Sequence, residues 1–500
     1  MRSIVRFILG QRAIPPPWRD TTPVREEIFG VERLEQHAES LAATQPVTTR
    51  PPRVLSLHAR LKDNAAVLLA AYRASALELE SGRGVVPAAE WLLDNYHLVE
   101  AQVREIRDDL PPGYYRQLPK LADGPFAGYP RVFGLAWAFV AHSDSHFDPD
   151  VLRRFIAAYQ RVQPLTIGEL WAVAITLRIV LIENLRRLAD QITAGRGARA
   201  DAEALANRLL VSGDARSALE TDISTRSSGN LSGAFAAHLA KRLRGQDPIT
   251  TPALGWLEER LGLQGASIDK VVQDEQRSKG ASNVSVRNVI TSMRLISDID
   301  WTELFESVSL VDERLRTVGD FAAMDFPTRN LYRNAIEQLA RGSSSSELEI
   351  ADLALNASRA AAAGEVNATE AERVGDPGYH LIAEGRRALE RTIGFRSPPR
   401  LWISRFCIRL GIGGYVGAIL FVTAGLLLLA LWALSIPGLA VGWLALFALI
   451  GFLPATEAAT ALINRAITRN FGATTLPGLE LTAGVPQSLR TLVAVPTLLT

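Results

Sequence analysis

The sequence predicts an all-α protein with a large multi-helix region, a two-helix transmembrane hairpin and, at the C-terminus, the first strand of a truncated α/β domain. Three observations predict this class. Helical periodicity recurs from about residue 54 to about residue 391, with few alternating apolar and polar runs. The 47 positions from Leu410 to Thr456 carry no charge. Near the carboxyl end stands a short run that is fully apolar and rich in β-branched residues.

Composition limits the classes of protein to consider. A chain of 500 residues is too long for one core, which predicts roughly two to four structural units. Apolar residues make up 48% and charged residues 21%, which argues against general disorder. The net charge of +1 creates no field for a polyanion, so we predict no nucleic-acid partner. A single cysteine, Cys407, excludes an intrachain disulfide.

Residues 1–53 are predicted to be a flexible, polar, proline-containing lead-in. The first ten residues contain an apolar run, but Arg6 breaks it below the about 7 to 15 continuous apolar residues that a secretory signal needs. Two interpretations of this run remain open. It is either an amphipathic surface anchor or, as we prefer, a disordered leader that runs into the prolines at 15–17.

Residues 54–395 are predicted to be a cytoplasmic α-helical domain. Pro87 opens a helix that closes at Asp109, before two prolines and a glycine. Thr166 and Glu169 form a capping box ahead of a strongly apolar helix. The uncharged runs of that helix are far shorter than the about 20 residues needed to cross a bilayer, which predicts a buried core helix.

Two further cap signals and one ambiguous turn follow. Ser267 is expected to cap one helix, and Asp300 another. The glycine and serines at 342–346 fit either a flexible linker or a helix-to-helix turn. We prefer the turn, with Gly342 as the C-cap of one helix and a serine as the N-cap of the next.

Residues 396–465 are predicted to form the transmembrane hairpin. The spans 411–434 and 439–456 would measure about 36 and 27 Å as helices, with a turn at 435–438. Arginines flank the outer ends but not the turn, which predicts that both flanks are cytoplasmic. These arginines are Arg396, Arg400, Arg405, Arg409, Arg465 and Arg469. The alternative, a buried soluble hairpin, would need partners for two fully apolar helices.

The apolar run Leu492–Val495, stopped by Pro496, is typical of a buried parallel strand. A single strand leaves its backbone groups unpaired. We therefore expect the covered sequence to stop where another domain starts.

Alternating His142, Asp144, His146 and Asp148 offer imidazole and carboxylate groups to a metal. Their spacing matches no known metal motif, and they stand where a helix ends before a proline. We therefore prefer capping and solvation, and predict no metal site.

A second polar cluster surrounds Trp91. Glu90, Asp94 and His97 are spaced to share one face of a helix, where acid, base and aromatic groups would form a glycan-binding or catalytic cleft. A buried polar network between packed helices is the alternative that we prefer.

No complete catalytic constellation is found. Phosphate-loop, metalloprotease, nucleophile-elbow and paired-cysteine motifs do not occur. The glycines Gly124, Gly128 and Gly134 do not match a dinucleotide fingerprint and are predicted to be turn glycines. We therefore assign no catalytic residue.

Longer stretches carry a resemblance. They are WLLDNYHLVEAQVREIRDDLPPGYYRQLPKL at Trp91–Leu121, GPFAGYPRVFGLAWAFVAHSDSHFD at Gly124–Asp148, QPLTIGELWAVAITLRIVLIENLRRLAD at Gln163–Asp190, MDFPTRNLYRNAIEQLAR at Met324–Arg341 and DPGYHLIAEGRRALE at Asp376–Glu390. Together with the apolar hairpin, they resemble the amino-terminal region of bacterial cyclic β-1,2-glucan synthases. The likeness covers nearly the whole chain and is least clear in the first 50 residues.

The resemblance implies a function that the residues alone do not. In that family, the amino-terminal helices and the first two membrane spans precede a family 84 glycosyltransferase domain, which extends β-1,2-glucan from UDP-glucose. Residues 466–500 would then be a linker and the start of that domain, with Pro496 and Thr497 as candidate contacts to the nucleotide sugar. The catalytic aspartates would lie beyond Thr500, so this segment alone is expected to be inactive.

The resemblance also implies location and partners. The chain would be a multi-pass protein of the bacterial inner membrane, in contact with the lipid bilayer, with downstream domains of the same polypeptide, with UDP-glucose and with the glucan. No cofactor is expected in this segment, whereas the transferase domain would hold a divalent metal. Trp91, Asp94 and His97 are the candidate glycan-contacting face. The alternative is a self-contained, membrane-anchored helical scaffold or sensor protein.

Overall fold

The computed structural model describes residues 21–82, 84–211, 230–244, 251–435, 441–470, 477–481, 484–485, 487 and 490. Contacts divide the chain into two compact units, Met1–Ser309 and Leu310–Thr500. The predicted all-α class is confirmed. Within the described residues the only strands are β1 (Val47–Thr48) and β2 (Lys120–Leu121), which pair antiparallel.

The first unit is built from α-helices α1 to α12. They are α1 (Val31–Thr44), α2 (Leu57–Glu80), α3 (Pro87–Asp94), α4 (Tyr96–Asp109), α5 (Pro112–Gln117), α6 (Arg131–His142), α7 (Pro149–Val162), α8 (Ile167–Val211), α9 (Gly233–Leu243), α10 (Thr251–Leu263), α11 (Ile268–Asp298) and α12 (Trp301–Val308). Helix α8 is the centre of this unit, because α2, α6, α9 and α11 all pack against it.

The prediction that α8 is a buried core helix is confirmed. Its side chains from Ala172 to Leu185 are mostly buried, and its carboxyl half joins α9 and α10 in a second apolar cluster. Glu183 is buried within this run, where Arg60 and Arg187 pair with its carboxylate. Pairing offsets the cost of removing the charges from water, so a charged residue is tolerated in the core helix.

The predicted caps of the first unit are confirmed. Glu169 accepts a hydrogen bond from the backbone of Thr166, and the Thr166 hydroxyl accepts one from the backbone of Glu169. Ser267 and Asp300 accept backbone hydrogen bonds at the starts of α11 and α12. Each cap satisfies amides that the first turn of a helix leaves without partners.

Helix α1 lies inside the segment predicted to be a flexible lead-in, so that prediction is wrong for residues 31–44. Leu34, Ala38 and Ala42 recur every four residues and are buried. That stripe packs on α7, and ion pairs such as Arg154–Glu35 border it. Tertiary burial therefore orders a helix whose own sequence is largely polar.

The helix predicted to run from Pro87 to Asp109 begins and ends as expected but is interrupted at Asn95. The Asn95 amide donates to the Trp91 carbonyl oxygen at 2.9 Å and accepts from Arg294 at 3.1 Å. An asparagine that bonds the backbone in this way competes with the helical hydrogen-bond ladder. Two helices, α3 and α4, therefore replace the predicted one.

The glycine predictions are confirmed at two positions and wrong at one. Gly124 and Gly128 have φ of +78° and +89°, the left-handed region that turns require. Gly134 lies inside α6 instead. A Cβ there would lie 2.9 Å from the Gln45 amide nitrogen, so glycine serves close packing rather than a turn.

The second unit begins with short helices and ends with two long ones. They are α13 (Leu310–Leu315), a 3₁₀ turn (Phe321–Ala323), α14 (Phe326–Arg341), α15 (Glu347–Gly364), α16 (Ala368–Gly375), α17 (Pro377–Leu381), α18 (Arg386–Thr392), α19 (Pro399–Ser435) and α20 (Val441–Asn470). The preferred turn at 342–346 is confirmed. Gly342 is the C-cap of α14, and Ser346 with Glu349 forms a capping box at α15.

Helices α19 and α20 confirm the two predicted apolar helices. Both are long and apolar enough to cross a bilayer. Helix α19 begins at Pro399, earlier than the predicted span, and contains one break at Gly411. The predicted turn residues 436–438 lie outside the described residues, as do the predicted leader and the predicted strand Leu492–Val495.

Candidate membrane-anchoring site

The residues predicted to form a glycan-contacting face lie on two helices. Trp91 and Asp94 belong to α3 and His97 to α4, so the premise of one continuous helix face is wrong. Asp94 and His97 are exposed, and Trp91 is half-buried. Asp94 and His97 therefore do not form the buried polar network that we preferred, and that prediction is wrong for these two residues. Contact of this surface with a glycan stays a prediction.

The alternating side chains from His142 to Asp148 have separate partners. Asp144 is buried and accepts a hydrogen bond from Ser285, whereas His146 is exposed. Asp148 caps α7, as expected. Across the described residues, no group of three histidine, cysteine, aspartate or glutamate side chains comes together as a metal site would require.

The nucleotide-sugar candidates Pro496 and Thr497 lie outside the described residues. Their proposed contact with a donor stays a prediction.

The apolar hairpin of α19 and α20 is the strongest functional feature of the second unit. The helices pack on each other, and the Tyr415 hydroxyl donates to the Asn464 side-chain oxygen at 2.8 Å. Only 6% of the most apolar window of each helix is buried. Large outer side chains such as Phe421 and Leu449 are 80% and 75% exposed. Such a continuous apolar surface is unfavourable in water and requires an apolar surrounding.

The break at Gly411 divides α19 into two helical segments, 399–410 and 412–435. Gly411 has φ of +54° and ψ of −142°, a conformation that strongly favours glycine. Segment 399–410 carries charged arginines among aromatic residues, whereas no charged residue occurs in segment 412–435. The break therefore separates a segment that carries arginines from one suited to the hydrocarbon core.

Helix α14 holds the chain on both sides of the hairpin. Before the hairpin, the Arg396 amide donates to the Gly342 carbonyl at 2.8 Å, at the carboxyl end of α14. After it, the Asp325 amide donates to the Gly478 carbonyl at 3.0 Å, at the amino end of α14. The Gly478 amide also donates to Thr328 at 2.8 Å. The chain thus contacts α14 just before it enters the hairpin and contacts the same helix again after it leaves the hairpin.

A buried carboxylate joins α18 to the start of α19. Glu390 accepts a hydrogen bond from Arg386 at 3.0 Å and another from Arg405. Burial alone would raise the pKa of Glu390, but hydrogen bonds and charge from Arg405 and Arg386 outweigh burial and hold that pKa below its usual value. The carboxylate therefore stays ionised near neutral pH and fixes segment 399–410 against the helical part of the unit.

Sequence reasoning missed the attachment of the hairpin to α14. The glycine of the 342–346 turn indicated a helix end, but nothing local indicates that Phe395 packs against that glycine. Gly478 carries no signal that it would pair with Asp325, 153 positions earlier. The available signal was limited to the cap residue Asp325 itself, which precedes a proline-containing first turn.

The fold and this site define an α-helical protein whose second unit carries an apolar hairpin. The chain on each side of this hairpin is hydrogen-bonded to one end of α14. No protein-family model matches the chain. Cyclic beta-(1,2)-glucan synthase NdvB of Rhizobium meliloti (strain 1021) is 34% identical to it over 477 residues, or 95% of the chain. The chain spans only 17% of the length of that relative. The resemblance seen in the sequence is confirmed, over one part of a much longer protein.

Proposed function

We propose that this chain is the membrane-anchoring and supporting portion of a cyclic β-1,2-glucan synthase. The observation that carries the proposal is the apolar hairpin attached at both ends to α14, in a chain that is 34% identical to a synthase over 95% of its length. The hairpin would cross the bacterial inner membrane twice. The lipid bilayer and downstream domains of the same polypeptide are its proposed partners.

Both flanks of the hairpin are proposed to be cytoplasmic. Two features support this orientation. Residues on either side of the hairpin contact the same helix, α14, so they belong on one side of the membrane. The arginines stand at the outer ends of α19 and α20, where the positive-inside tendency places the cytoplasm.

The chemistry is proposed to belong to residues beyond Thr500. A transferase domain there would use UDP-glucose and a divalent metal to extend the glucan, with Pro496 and Thr497 at its start. The first check is the reading frame after codon 500. A long continuation with alternating strands and helices and paired aspartates is expected, whereas an immediate stop codon would favour a self-contained scaffold or sensor.

An activity measurement tests the assignment of the active site. Membranes that contain the 500-residue chain and membranes that contain the full reading frame are incubated with labelled UDP-glucose and Mg²⁺. Labelled β-1,2-glucan is expected only from the longer protein. Glucan made by the 500-residue chain would overturn the proposal that the active site lies downstream.

The exposed pair Asp94 and His97 gives a clean test of glycan contact. Because neither side chain is buried, the D94A/H97A double variant of the full-length protein should keep its level and fold. Loss of glucan at a normal protein level would support contact with the glucan. The matched control is E100A, an exposed position on the same helix α4. Equal glucan yields from all three proteins would exclude a role for this face.

A further inference from the structure

A cavity of about 820 Å³ lies at the base of the hairpin, between α18 and segment 399–410. Four arginines line it, two from each helix: Arg387 and Arg391 from α18, and Arg405 and Arg409 from α19. Within each pair the residues are one helical turn apart, so their side chains lie on one face of their helix. Glu390 is the only carboxylate among the described residues of this lining.

The charges in this lining are not balanced. Glu390 is already bonded to Arg405 and also to Arg386, which lies outside the cavity. Among the described residues, no carboxylate pairs with Arg387, Arg391 or Arg409. Three guanidinium groups thus share one cavity without counter-charge, which makes the cavity a site for an anion.

The chemistry of the lining favours a phosphate group. Guanidinium groups present planar pairs of N–H donors that match phosphate oxygens. A neutral sugar would instead call for side-chain amides, hydroxyls or carboxylates beside the aromatic rings. The described lining has no amide or hydroxyl side chain, and its one carboxylate is already paired with arginines.

Aromatic residues place the cavity at the level of lipid headgroups. Trp402 and Phe406 line the cavity and stack with ring centroids 5.8 Å apart. They are nevertheless 64% and 50% exposed. Tryptophan next to a membrane span is typical of the bilayer interface. Gly411 and the uncharged segment 412–435 follow at once, so Arg405 and Arg409 stand within about two helical turns of the hydrocarbon core.

We propose that this cavity binds the phosphate of an anionic bilayer lipid. Arg387, Arg391 and Arg409 hold the phosphate, while Trp402 and Phe406 contact the glycerol and the upper acyl chains. The inference rests on the proposed insertion of the hairpin in a membrane. It goes further by assigning a lipid class and a site to the base of that hairpin.

Native mass spectrometry of the purified 500-residue chain in neutral detergent tests the site. The probes are dioleoylphosphatidylglycerol and dioleoylphosphatidylcholine, added in equal amounts. The chain is expected to retain phosphatidylglycerol in preference. The triple variant R387Q/R391Q/R409Q should weaken that retention roughly 100-fold, because each arginine near an anionic lipid contributes roughly five-fold.

Two further variants separate a built site from a general charge effect. The control triple R153Q/R277Q/R359Q removes the same charge from exposed positions outside the cavity and should retain lipid like the parent. The triple R387K/R391K/R409K keeps the charge and should retain most of the lipid, which also shows that the cavity region tolerates substitution. Circular dichroism checks that every variant is folded.

Three results would overturn the proposal. Equal retention of the two lipids would show that no phosphate-specific lipid site exists. Equal loss in the control triple would show a diffuse charge effect. Displacement of phosphatidylglycerol by millimolar inorganic phosphate or UDP would show a site for soluble anions. Each result leaves the orientation of the hairpin untouched, so failure here is distinguishable from failure of the proposed anchoring role.

Discussion

Replacing Gly342 by alanine is expected to destabilise the second unit, although alanine is the better helix former. Gly342 has φ of −98° and ψ of 0°, which alanine adopts without strain. On backbone grounds alone, the substitution would stabilise the fold by about 0.4–1 kcal/mol. The opposing effect is steric, because the new Cβ would lie 2.1 Å from Cε2 and 2.5 Å from Cδ2 of Phe395.

The steric effect should win. Carbon atoms in contact lie about 3.5–4.0 Å apart, so the Phe395 ring would have to move by more than an ångström. It cannot swing away freely, since the next residue, Arg396, is bonded to the Gly342 carbonyl at 2.8 Å. Overpacking of this kind costs about 1–3 kcal/mol, so the net loss after the backbone gain has a central value of about 1.3 kcal/mol and an upper limit of about 2.6 kcal/mol.

A double-mutant cycle measures this competition. The free energy of unfolding is determined by denaturant titration in detergent for the parent, G342A, F395A and G342A/F395A. Once the ring is absent, the alanine should become neutral or stabilising. Stabilisation of the parent chain by G342A, or equal destabilisation of the parent and of the F395A background, would contradict a clash with the Phe395 ring.

Four other predictions concern the first unit and the hairpin. E183Q should cost about 3–5 kcal/mol of unfolding free energy, because the variant removes the buried carboxylate that pairs with the buried charges of Arg60 and Arg187; the exposed control E258Q should cost under about 0.5 kcal/mol. Burial would raise the pKa of Glu183, but the hydrogen bonds from Arg60 and the charge of Arg187 outweigh it and lower this pKa. The stabilisation by Glu183 is therefore complete above pH 4.5 and is lost as the pH falls further. On the acid side, the free energy of unfolding should fall less steeply with pH for E183Q than for the parent, and identical slopes would contradict the pairing. Burial lowers the pKa of Lys120 to about 8. Between pH 8 and 10 the unfolded chain therefore binds more protons than the folded chain, so the melting temperature of the parent should rise relative to that of K120M as the pH increases. A difference in melting temperature that stays constant over this range would contradict the prediction. Gly411 lies at φ +54° and ψ −142°, a region that is essentially open only to glycine, so G411A should destabilise the fold by about 1–3 kcal/mol, whereas G413A, in an ordinary helical position with open space around its Cβ, should be neutral or stabilising.

Local sequence signals predicted the helix ends. The features that the sequence did not predict depend on contacts between residues far apart in the chain. The capping boxes at Thr166 and Ser346 depend on atoms three residues apart, so the sequence contains everything needed to recognise them. At Asn95 the side chain also accepts a hydrogen bond from Arg294, 199 positions later, and no local pattern reveals that contact. Helix α1 was missed because its apolar stripe consists mostly of alanine, and its order comes from packing on α7.

The candidate site shows the same division. The length of the uncharged run alone predicted both helices of the hairpin, because about 20 consecutive apolar residues are what a helix needs to cross a bilayer. Arg405 and Arg409 were recognised as membrane flanks, but their meeting with Arg387 and Arg391 in one cavity depends on the tertiary placement of α18. The attachment of Gly478 to the start of α14 could not be predicted either, because the backbone hydrogen bond between Gly478 and Asp325 does not require particular residue types.

The orientation of the hairpin is the central claim, and cysteine accessibility tests it most directly. The chain has one cysteine, so C407S provides a clean background for single cysteines at Ser397 and Thr468, near the outer ends, and at Val441, at the far end. Cells with a permeabilised outer membrane are treated with a membrane-impermeant maleimide. V441C is expected to be labelled while the inner membrane is intact, and S397C and T468C only after the inner membrane is opened. Labelling of S397C and T468C from opposite sides of the membrane would contradict this orientation.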